Sequence, residues 1–330
     1  SEALATALAQ ETGDQFAIEA VICDNDSPDD TRETVERLAA SSPWPVKYVH
    51  VTRRGDAQAR NGGLPHCEGD WIAFMDDDEL ARPDWLLQLY RTATRQKADL
   101  VGGGVELDMP AARVVELGLD VRRSLRERSE ATCGPGLEPR PFSDREFPGT
   151  DNLLISRKVL ETLGEFDEAV MSGTADYDFS IRARRAGFSC WYVPAAIVRH
   201  RTPANRLTDE FIGWESLRSG VMLAQYDRKY KGLAATTAWL AMRMAQGTLV
   251  SVPKWALAKA TGNAAELADR RIRLLRLQGY AKSYLCEALP WLFSRQRLYD
   301  RLDFIKGRQI GKSQPVVGAS SQGRTQEATQ

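Results

Sequence analysis

Four acidic residues in a row, Asp76-Asp77-Asp78-Glu79, directly follow the apolar segment Trp71–Met75. Side chains alternate along an extended backbone, so Asp76 and Asp78 are expected to point to the same side. Carboxylates this close repel each other unless a positive group lies between them. A hard divalent cation, Mg²⁺ or Mn²⁺, would meet that need and could also bind a diphosphate. The alternative is a solvated acidic turn.

A second polar cluster, which begins at Asp24, follows another apolar segment. It does not fit a calcium-binding EF-hand loop, because Asp29 stands where that loop needs Gly and no Glu occupies its twelfth position. Asp24 and Asn25 could instead hydrogen-bond to the edge of a nucleobase. The alternative is that Asp26 or Ser27 turns the chain and caps the next helix.

A third cluster contains Gly173, which permits a tight turn, and Asp176, which then falls in the first turn of a predicted helix. The helix dipole favours a carboxylate there and keeps it ionised, so Asp176 could act as a base. The alternative is a helix cap.

Arg60 stands next to the Gly62-Gly63 pair. A guanidinium beside glycine-rich backbone suits phosphate oxygens through bidentate hydrogen bonds. An ordinary surface arginine is the alternative.

The first 110 residues alternate between the strand and helix periods, which predicts an α/β fold with a largely parallel sheet and helices on both faces. Ligands of such sheets bind beyond the carboxyl ends of the strands. The predicted strands are 18–23, 46–51, 71–75 and 100–107, and the predicted helices are 3–11, 30–40, 57–66 and 83–95.

Further along the chain, residues 108–147 are irregular, and a helical, basic region begins near Asp209. The predicted elements between these regions are a strand at 152–155, helices at 157–163 and 175–186, and short extended pieces at 189–193 and 196–199. This pattern predicts three parts: a domain at 1–207, a basic amphipathic helical region at 208–310, and a disordered tail at 311–330.

Composition and charge exclude several classes of protein. The 330 residues are 43% hydrophobic and 27% charged, which is ordinary for a globular protein. The net charge of −1 argues against a general nucleic-acid binder. Residues 1–200 carry 23 Lys and Arg against 35 Asp and Glu, whereas residues 201–330 carry 21 against 10, which indicates two surfaces with different partners. Five scattered cysteines favour a reducing cytoplasm.

Taken in order, these segments resemble the family 2 glycosyltransferases, inverting enzymes with the GT-A fold, and the similarity covers about residues 3–201. Within this family, the sequence most resembles the transferases of bacterial exopolysaccharide synthesis, of the succinoglycan type. The resemblance implies a nucleotide-binding α/β/α sandwich. It rests on Cys-Asp-Asn-Asp-Ser-Pro-Asp (23–29), Ala-Arg-Asn-Gly-Gly-Leu (59–64), Gly-Asp-Trp-Ile-Ala-Phe-Met-Asp-Asp-Asp-Glu (69–79), Gly-Thr-Asp-Asn-Leu-Leu-Ile-Ser-Arg-Lys (149–158), Leu-Gly-Glu-Phe-Asp-Glu (163–168), Ala-Asp-Tyr-Asp-Phe-Ser (175–180) and Val-Pro with Arg-His (193–200).

The resemblance also implies roles for individual residues. Asp176 matches the catalytic base that removes the acceptor's hydroxyl proton during a single displacement. The implied metal ligands for Mn²⁺ or Mg²⁺ are Asp76, Asp78 and His200. The implied substrate contacts are Asp24, Asn25, Arg60, Asn61, Asp76, Asp77 and Asp178. The expected activity is that of a hexosyltransferase that uses a nucleotide-diphosphate sugar, UDP-linked, and a polyprenyl-diphosphate-linked glycan acceptor.

This chain departs from the family pattern in two places. Ala175 replaces the first acidic residue of the usual pair before the base, and the chain starts in the helix that normally follows the first strand, so that strand is expected upstream. Both departures motivate an alternative function, a non-catalytic module that binds nucleotide sugars or polysaccharide. A haloacid dehalogenase-type phosphatase fits worse, because Leu80 stands where that motif needs Thr or Val.

Residues 232–306 combine apolar side chains with Lys and Arg, and include Trp239, Trp255 and Trp291. Such helices lie on an anionic membrane surface rather than span it. The expected location is therefore cytoplasmic and peripheral, at the inner face of the cell membrane. The alternative is a helical cap or a dimer surface.

Overall fold

A six-stranded mixed sheet and a separate two-stranded parallel sheet form the α/β part of the chain. The computed structural model describes residues 2–109, 116–128, 136–143, 146–171, 173–307 and 309–310. The predicted tail at 311–330 and part of the irregular segment 108–147 therefore lie outside the described residues.

The strands are β1 (Ala20–Asp24), β2 (Val46–His50), β3 (Trp71–Phe74), β4 (Glu79–Ala81), β5 (Leu100–Asp108), β6 (Arg140–Pro141), β7 (Leu153–Ser156) and β8 (Cys190–Arg201). The helices are α1 (Glu2–Leu8), α2 (Thr31–Ser41), α3 (Asp56–Gly63), α4 (Trp85–Gln96), α5 (Leu119–Ser124), α6 (Arg157–Leu163), α7 (Ala175–Arg185), α8 (Asp209–Gln246), α9 (Val252–Thr261), α10 (Ala264–Ala288), α11 (Arg295–Arg301) and α12 (Phe304–Gly307). The strands and helices predicted in the first 110 residues are confirmed, and β4 is an additional strand.

The prediction of a largely parallel sheet is wrong for the six-stranded sheet. Its order is β3-β7-β5-β8-β4, with β6 on β8, and among these pairs only β5 and β8 run parallel. The reason is the position of β7. This strand follows the connection 109–152 and lies between β3 and β5, antiparallel to both. The α/β alternation predicts that β3 and β5 are parallel neighbours. They do run in the same direction, but β7 lies between them.

Helices do cover both faces of this sheet. On β7, Leu153 and Ile155 contribute to one apolar cluster, and Leu154 between them contributes to another. Because side chains alternate along a strand, the two clusters lie on opposite faces. Phe179 of α7 packs into the first cluster and Trp85 of α4 into the second.

The strand β8 is continuous over twelve residues, whereas the sequence predicts two short pieces. Pro194 cannot donate a ladder hydrogen bond, and such a residue suggests a break. The structure accommodates it in an irregularity of the ladder: Gly103 of β5 pairs with Val193, and Gly104 pairs with Ile197. The strand therefore continues through to His200.

The region after Asp209 is helical, as predicted. The long helix α8 bends at Gly232, whose φ of 81° lies in the left-handed region. Close backbone contact between α8 and α10 depends on two further glycines, since a Cβ on Gly220 would lie 2.0 Å from the carbonyl oxygen of Arg276, and one on Gly279 equally close to that of Leu217. Among the described residues, no helix has the length and apolar character needed to cross a bilayer.

Candidate active site

The end of β3 and the start of β4 fix the acidic run beside β8. The strands β4 and β8 pair antiparallel with Glu79 opposite His200, and the amide of Arg201 donates to the carbonyl oxygen of Asp78 at 2.8 Å. This pairing brings His200 next to Glu79 and Asp78, which stand 121 and 122 positions earlier in the chain. Sequence reasoning assigned Asp78 and His200 to one metal site, and the structure does bring them together.

Two arginines hold the carboxylate of Asp76. Nη1 of Arg126 donates to Oδ2 at 2.8 Å, and Nη2 of Arg60 lies 3.5 Å from Oδ1. Burial alone would raise the pKa of Asp76, but the two guanidinium groups outweigh it and lower that pKa to about 2. Asp76 is therefore a permanent anion at physiological pH. Asp77, the next residue, is exposed.

Asp78 and His200 share a third arginine. Nη2 of Arg206 lies 3.0 Å from Oδ2 of Asp78, and its Nη1 lies 3.1 Å from Nε2 of His200. Nδ1 of His200 lies 3.5 Å from Oδ1 of Asp78 and 3.6 Å from Oε1 of Glu79. Burial lowers the pKa of His200, although Asp78 opposes that shift, so the neutral imidazole is favoured. A neutral imidazole is the form that binds metals. Because Arg206 donates to Nε2 here, Nδ1 carries the proton, and a metal ion binds Nδ1 only once Arg206 moves away and the proton shifts to Nε2.

The side chains around His200 carry atoms of the kinds that bind a divalent cation. Nδ1 of His200 and Oε1 of Glu79 are both buried and have no hydrogen-bond partner among the described residues. Carboxylate oxygens suit Mg²⁺ and Mn²⁺, and an imidazole nitrogen favours Mn²⁺ of the two. The donor set therefore fits Mn²⁺. Within the ranges that the structure describes, however, no three His, Cys, Asp or Glu side chains are already arranged as a metal site.

Asp176 lies in the first turn of α7, as predicted, and its Oδ1 accepts a hydrogen bond from the amide of Tyr177 at 2.8 Å. Burial raises its pKa, and the positive charges of Arg60 and Arg126 oppose that shift. Gly149 leaves space at the other oxygen: a Cβ there would lie 3.1 Å from Oδ2 of Asp176. A partly buried carboxylate with a raised pKa can accept a proton.

The side chains of Asp24 and Asn25 are engaged within the protein. Asp24 accepts from the hydroxyl of Tyr48 at 2.5 Å and from the amide of Ser27 at 2.9 Å. Burial raises the pKa of Asp24, but these hydrogen bonds outweigh it and leave the pKa below its usual value. Asn25 accepts from the amide of Gly55 at 2.7 Å and donates to two carbonyl oxygens of the same loop. The predicted contact with a nucleobase stays a prediction.

Asn61 is buried and its side chain holds a loop, and the substrate contact implied for it stays a prediction. Its amide exchanges two hydrogen bonds of 2.9 Å with the backbone of Phe166, much as a strand neighbour would, and also donates to Glu168 at 3.2 Å. The motif at 59–64 thus has two functions. Arg60 faces the acidic cluster, and Asn61 fixes the loop before α7.

Asp178 is likewise engaged within the protein, and its predicted role as a substrate contact stays a prediction. Its carboxylate is buried and accepts from Lys229 at 2.6 Å, from Arg182 at 2.9 Å and from the hydroxyl of Tyr230. Lys229 and Tyr230 belong to α8, so Asp178 joins the helical region to α7. Because Asp176 and Asp178 are two residues apart on a helix, they point in different directions.

The sequence motifs miss several charged residues of the site. Arg126 contacts Asp76, Arg206 contacts Asp78, and Arg128 donates to the buried Asp151 at 2.5 Å. Asp151 belongs to the Gly-Thr-Asp-Asn segment already noted at 149–152, which was a usable signal. The local sequence does not mark Arg126 and Arg128 as site residues, because the segment around them is rich in charged residues and has no regular pattern.

This architecture, a mixed central sheet with acidic residues at strand ends and a helical C-terminal region, is that of the GT-A glycosyltransferases. A mannosyltransferase from Pyrobaculum calidifontis, PcManGT, solved with GDP-Man and Mn²⁺, superposes with a TM-score of 0.54. The two proteins are 18% identical, and the match covers 86% of this chain and 82% of the other. Residues 1–163 match the profile of Glycosyl transferase family 2. These residues form a Glycosyl transferase family 2 domain, and the chain is a glycosyltransferase.

Two curated relatives take part in one bacterial polysaccharide pathway. The succinoglycan biosynthesis protein ExoM of Rhizobium meliloti is 28% identical over 222 residues, which are 67% of this chain and 68% of the relative. ExoO of the same organism is 33% identical over 207 residues, 59% of this chain and 54% of the relative. The chain thus spans about two thirds of the first relative's length and little more than half of the second's. This relationship supports sugar transfer in polysaccharide synthesis.

Proposed function

We propose that this chain transfers a sugar, with inversion, from a nucleoside diphosphate sugar to a glycan acceptor in bacterial polysaccharide synthesis. The donor in this proposal is a UDP-sugar, and the acceptor is a glycan carried on polyprenyl diphosphate. The observation that carries the proposal is the convergence of Asp176, Asp76 and Arg60 in one charged cluster. A base, an acidic pair and a phosphate-binding cation are what a single displacement on a nucleotide sugar requires.

In this mechanism the acceptor hydroxyl oxygen attacks the anomeric carbon while the bond from that carbon to the phosphate oxygen breaks. The hydroxyl proton moves to Oδ2 of Asp176, because Oδ1 is already bonded to the amide of Tyr177. The leaving diphosphate becomes more negative, and the guanidinium of Arg60 offsets part of that charge. The ion pair between Arg60 and Asp56, at 3.0 Å, orients this guanidinium.

The residues that would hold a divalent ion are Asp76, Asp78 and His200. When bound, Mn²⁺ or Mg²⁺ supplies electrostatic stabilisation of the leaving diphosphate. The raised pKa of Glu79, caused first by burial and then by the charges of Asp151 and Asp76, favours its neutral form. Glu79 is therefore a neighbour of the site rather than a third negative ligand in this proposal.

A donor screen tests the proposed function. The purified protein with Mn²⁺ is incubated with UDP-glucose, UDP-galactose, UDP-N-acetylglucosamine and GDP-mannose, and release of nucleoside diphosphate is measured. We expect slow hydrolysis of one donor and faster release when a glycan acceptor is added. Saturable binding of a donor without any release would instead favour the non-catalytic binding module.

The proposal places the enzyme at the inner face of the membrane, because the lipid of its acceptor stays in the bilayer. Six large apolar side chains between 242 and 257 are exposed, and Leu249 and Leu257 are 75% and 63% exposed. We call this set the apolar surface: Met242, Met244, Leu249, Val250, Val252 and Leu257. Exposed apolar groups of this number on a globular protein indicate an interaction site.

Charge favours an anionic lipid surface as the partner of the apolar surface. Residues 232–263 contain no Asp or Glu but include Arg243, Lys254 and Lys259, and both lysines are exposed. Cationic side chains beside exposed apolar ones are typical of helices that lie on anionic membranes. Elsewhere α8 and α10 pack against each other, with Gly220 and Gly279 in close backbone contact.

We expect the protein to float with vesicles that contain phosphatidylglycerol at low salt and to be released at high salt. The double variant Leu249→Glu/Leu257→Glu should bind these vesicles about tenfold or more weakly. Each substitution removes an apolar side chain that would be buried in the membrane, and adds a negative charge. Leu137→Glu is the matched control, since Leu137 is 45% exposed but lies outside the helical region. Equal vesicle binding by the double variant and the wild type would contradict the assignment.

A further inference from the structure

Arg126 lies among the carboxylates of the active site. Its Nη1 donates to Asp76 at 2.8 Å, and the charges of Asp151, Asp176 and Asp78 also act on its guanidinium. The mechanism above gives this residue no function. A single cation that faces four carboxylates holds the position where added positive or negative charge would be felt most strongly.

The backbone on both sides of Arg126 is held in place by contacts with the rest of the protein. Leu125, the residue before it, is buried in the apolar cluster beneath α8 and α10. Two residues after it, Arg128 pairs with the backbone of Val105 in both directions, at 2.9 and 3.3 Å. Between these anchors Arg126 has a φ of 78°. A left-handed backbone is uncommon for a residue with a long side chain, and such conformations persist where the surrounding structure enforces them.

The side chain of Arg126 is 36% exposed, so a ligand can reach it. Asp76 is the only carboxylate of the described residues that is recorded as an ion-pair partner of both Arg126 and Arg60. A metal ion that binds Asp76 must compete with these two guanidinium groups. When Arg126 loses Asp76 to the metal, it needs another anion, and the donor's diphosphate is the anion that arrives with the metal.

We propose that Arg126 exchanges partners during the reaction: it neutralises Asp76 in the free enzyme and turns to the β-phosphate of the donor when metal and nucleotide bind. This inference rests on the proposed function and adds a residue that stabilises the leaving nucleoside diphosphate. The guanidinium makes bidentate hydrogen bonds to phosphate oxygens, which a lysine cannot reproduce. It also prevents repulsion between Asp76 and the other carboxylates before the metal binds.

The exchange predicts effects of opposite sign for Arg126→Gln. Binding of Mn²⁺ alone should become tighter, by about fivefold or more, because a competing positive charge beside Asp76 is removed. Binding of UDP in the presence of saturating Mn²⁺ should become weaker, by about tenfold or more, because a charge-assisted contact to phosphate is lost. A residue with only a structural function would weaken both ligands together.

The experiment measures Mn²⁺ binding by electron paramagnetic resonance and nucleotide binding by calorimetry on the full chain. UDP and UMP are the two nucleotide probes, with GDP and GMP as a parallel pair, and UMP affinity should change less than about twofold because UMP has no β-phosphate. Arg123→Gln is the matched control: Arg123 is an exposed arginine on the same segment. It should leave all affinities unchanged.

Arg126→Lys keeps the test decisive if the Gln variant does not fold. The lysine retains the charge, so Mn²⁺ affinity should stay within about twofold of the wild type, whereas UDP affinity should still fall. Unchanged UDP affinity in both variants, or an equal loss for UDP and UMP, would overturn the inference while leaving the proposed function intact. A wild-type protein that binds none of these nucleotides would contradict the proposed function itself, and the inference with it.

Discussion

Asp176→Asn is expected to lower turnover by at least about a hundredfold, the usual scale for loss of a general base. The amide cannot accept the acceptor's proton, yet it has nearly the shape of the carboxylate and can still accept from the amide of Tyr177. Affinity for the nucleoside diphosphate should therefore stay within about twofold. Single-turnover kinetics with the donor found in the screen, together with calorimetry, measure the two quantities separately.

The pH dependence gives a second measure of the same residue. The base must be ionised, so activity falls as the pH drops through the pKa of Asp176. Burial raises that pKa, with Arg60 and Arg126 opposing, so the acid limb of kcat/KM should lie above the range of an exposed aspartate. Because both arginines favour the ionised form, Arg126→Gln should move this limb to still higher pH.

Asp178→Asn is the contrasting variant on the same helix. Asp178 accepts from Lys229, Arg182 and Tyr230, so its substitution leaves donors without their charged acceptor and should lower Tm. Turnover per folded molecule should change little. If instead Asp178→Asn abolished turnover and Asp176→Asn did not, the base would have to be reassigned to Asp178.

Hydrophobic periodicity was sufficient to predict most strands and helices of the α/β domain. Trp85–Gln96 has the helical period and buries one face, and Trp71–Phe74 is a continuous apolar run of strand length, so the local pattern and the fold agree. The strand β4 has no such pattern. Its first residue, Glu79, is a fully buried carboxylate, and local sequence marks such a residue as polar surface.

The relative directions of neighbouring strands depend on a long-range strand pairing, which the local sequence does not indicate. The α/β alternation predicts parallel neighbours, and β3 and β5 do run in the same direction. What separates them is β7, which comes from beyond residues 109–152. A long connection leaves the direction of the next strand open, because either direction satisfies the same apolar pattern.

The candidate site divides in the same way between local and long-range information. Asp76, Asp78 and Asp176 follow from their places at a strand end and in a first helical turn. Asn61 and Asp178 are in the motifs of Arg60 and Asp176, yet Asn61 bonds to Phe166, 105 positions away, and Asp178 bonds to Lys229, 51 positions away, contacts that the local sequence does not indicate. Arg126 is the converse case: an unremarkable local position becomes part of the site through tertiary contacts alone.

Removal of the divalent ion is expected to reduce transferase activity to background, and Mn²⁺ should restore it. The acidic run and His200 provide oxygen and nitrogen donors that suit this ion, and Oε1 of Glu79 and Nδ1 of His200 are buried without hydrogen bonds among the described residues. The measurement is release of nucleoside diphosphate in excess chelator, before and after Mn²⁺ or Mg²⁺ is added. We expect Mn²⁺ to be the more effective ion, because one donor is an imidazole.

Asp78→Asn should raise the Mn²⁺ concentration needed for half-maximal activity by about tenfold or more, since an anionic ligand becomes neutral. Asp70→Asn is the matched control, because Asp70 is exposed and precedes β3 at the strand's opposite end. Its metal requirement should equal that of the wild type. Equal requirements in Asp78→Asn and the wild type would remove Asp78 from the metal site.

Full activity in excess chelator would contradict the metal assignment as a whole, and the structure then identifies what must replace the ion. Arg126 and Arg60 form ion pairs with Asp76, and Arg206 forms one with Asp78. Three guanidinium groups within reach of a diphosphate can offset its charge without a metal, as cations in a site of low dielectric constant do. In that case Arg206→Gln, which leaves every proposed metal ligand in place, should lower turnover by about as much as chelation was expected to.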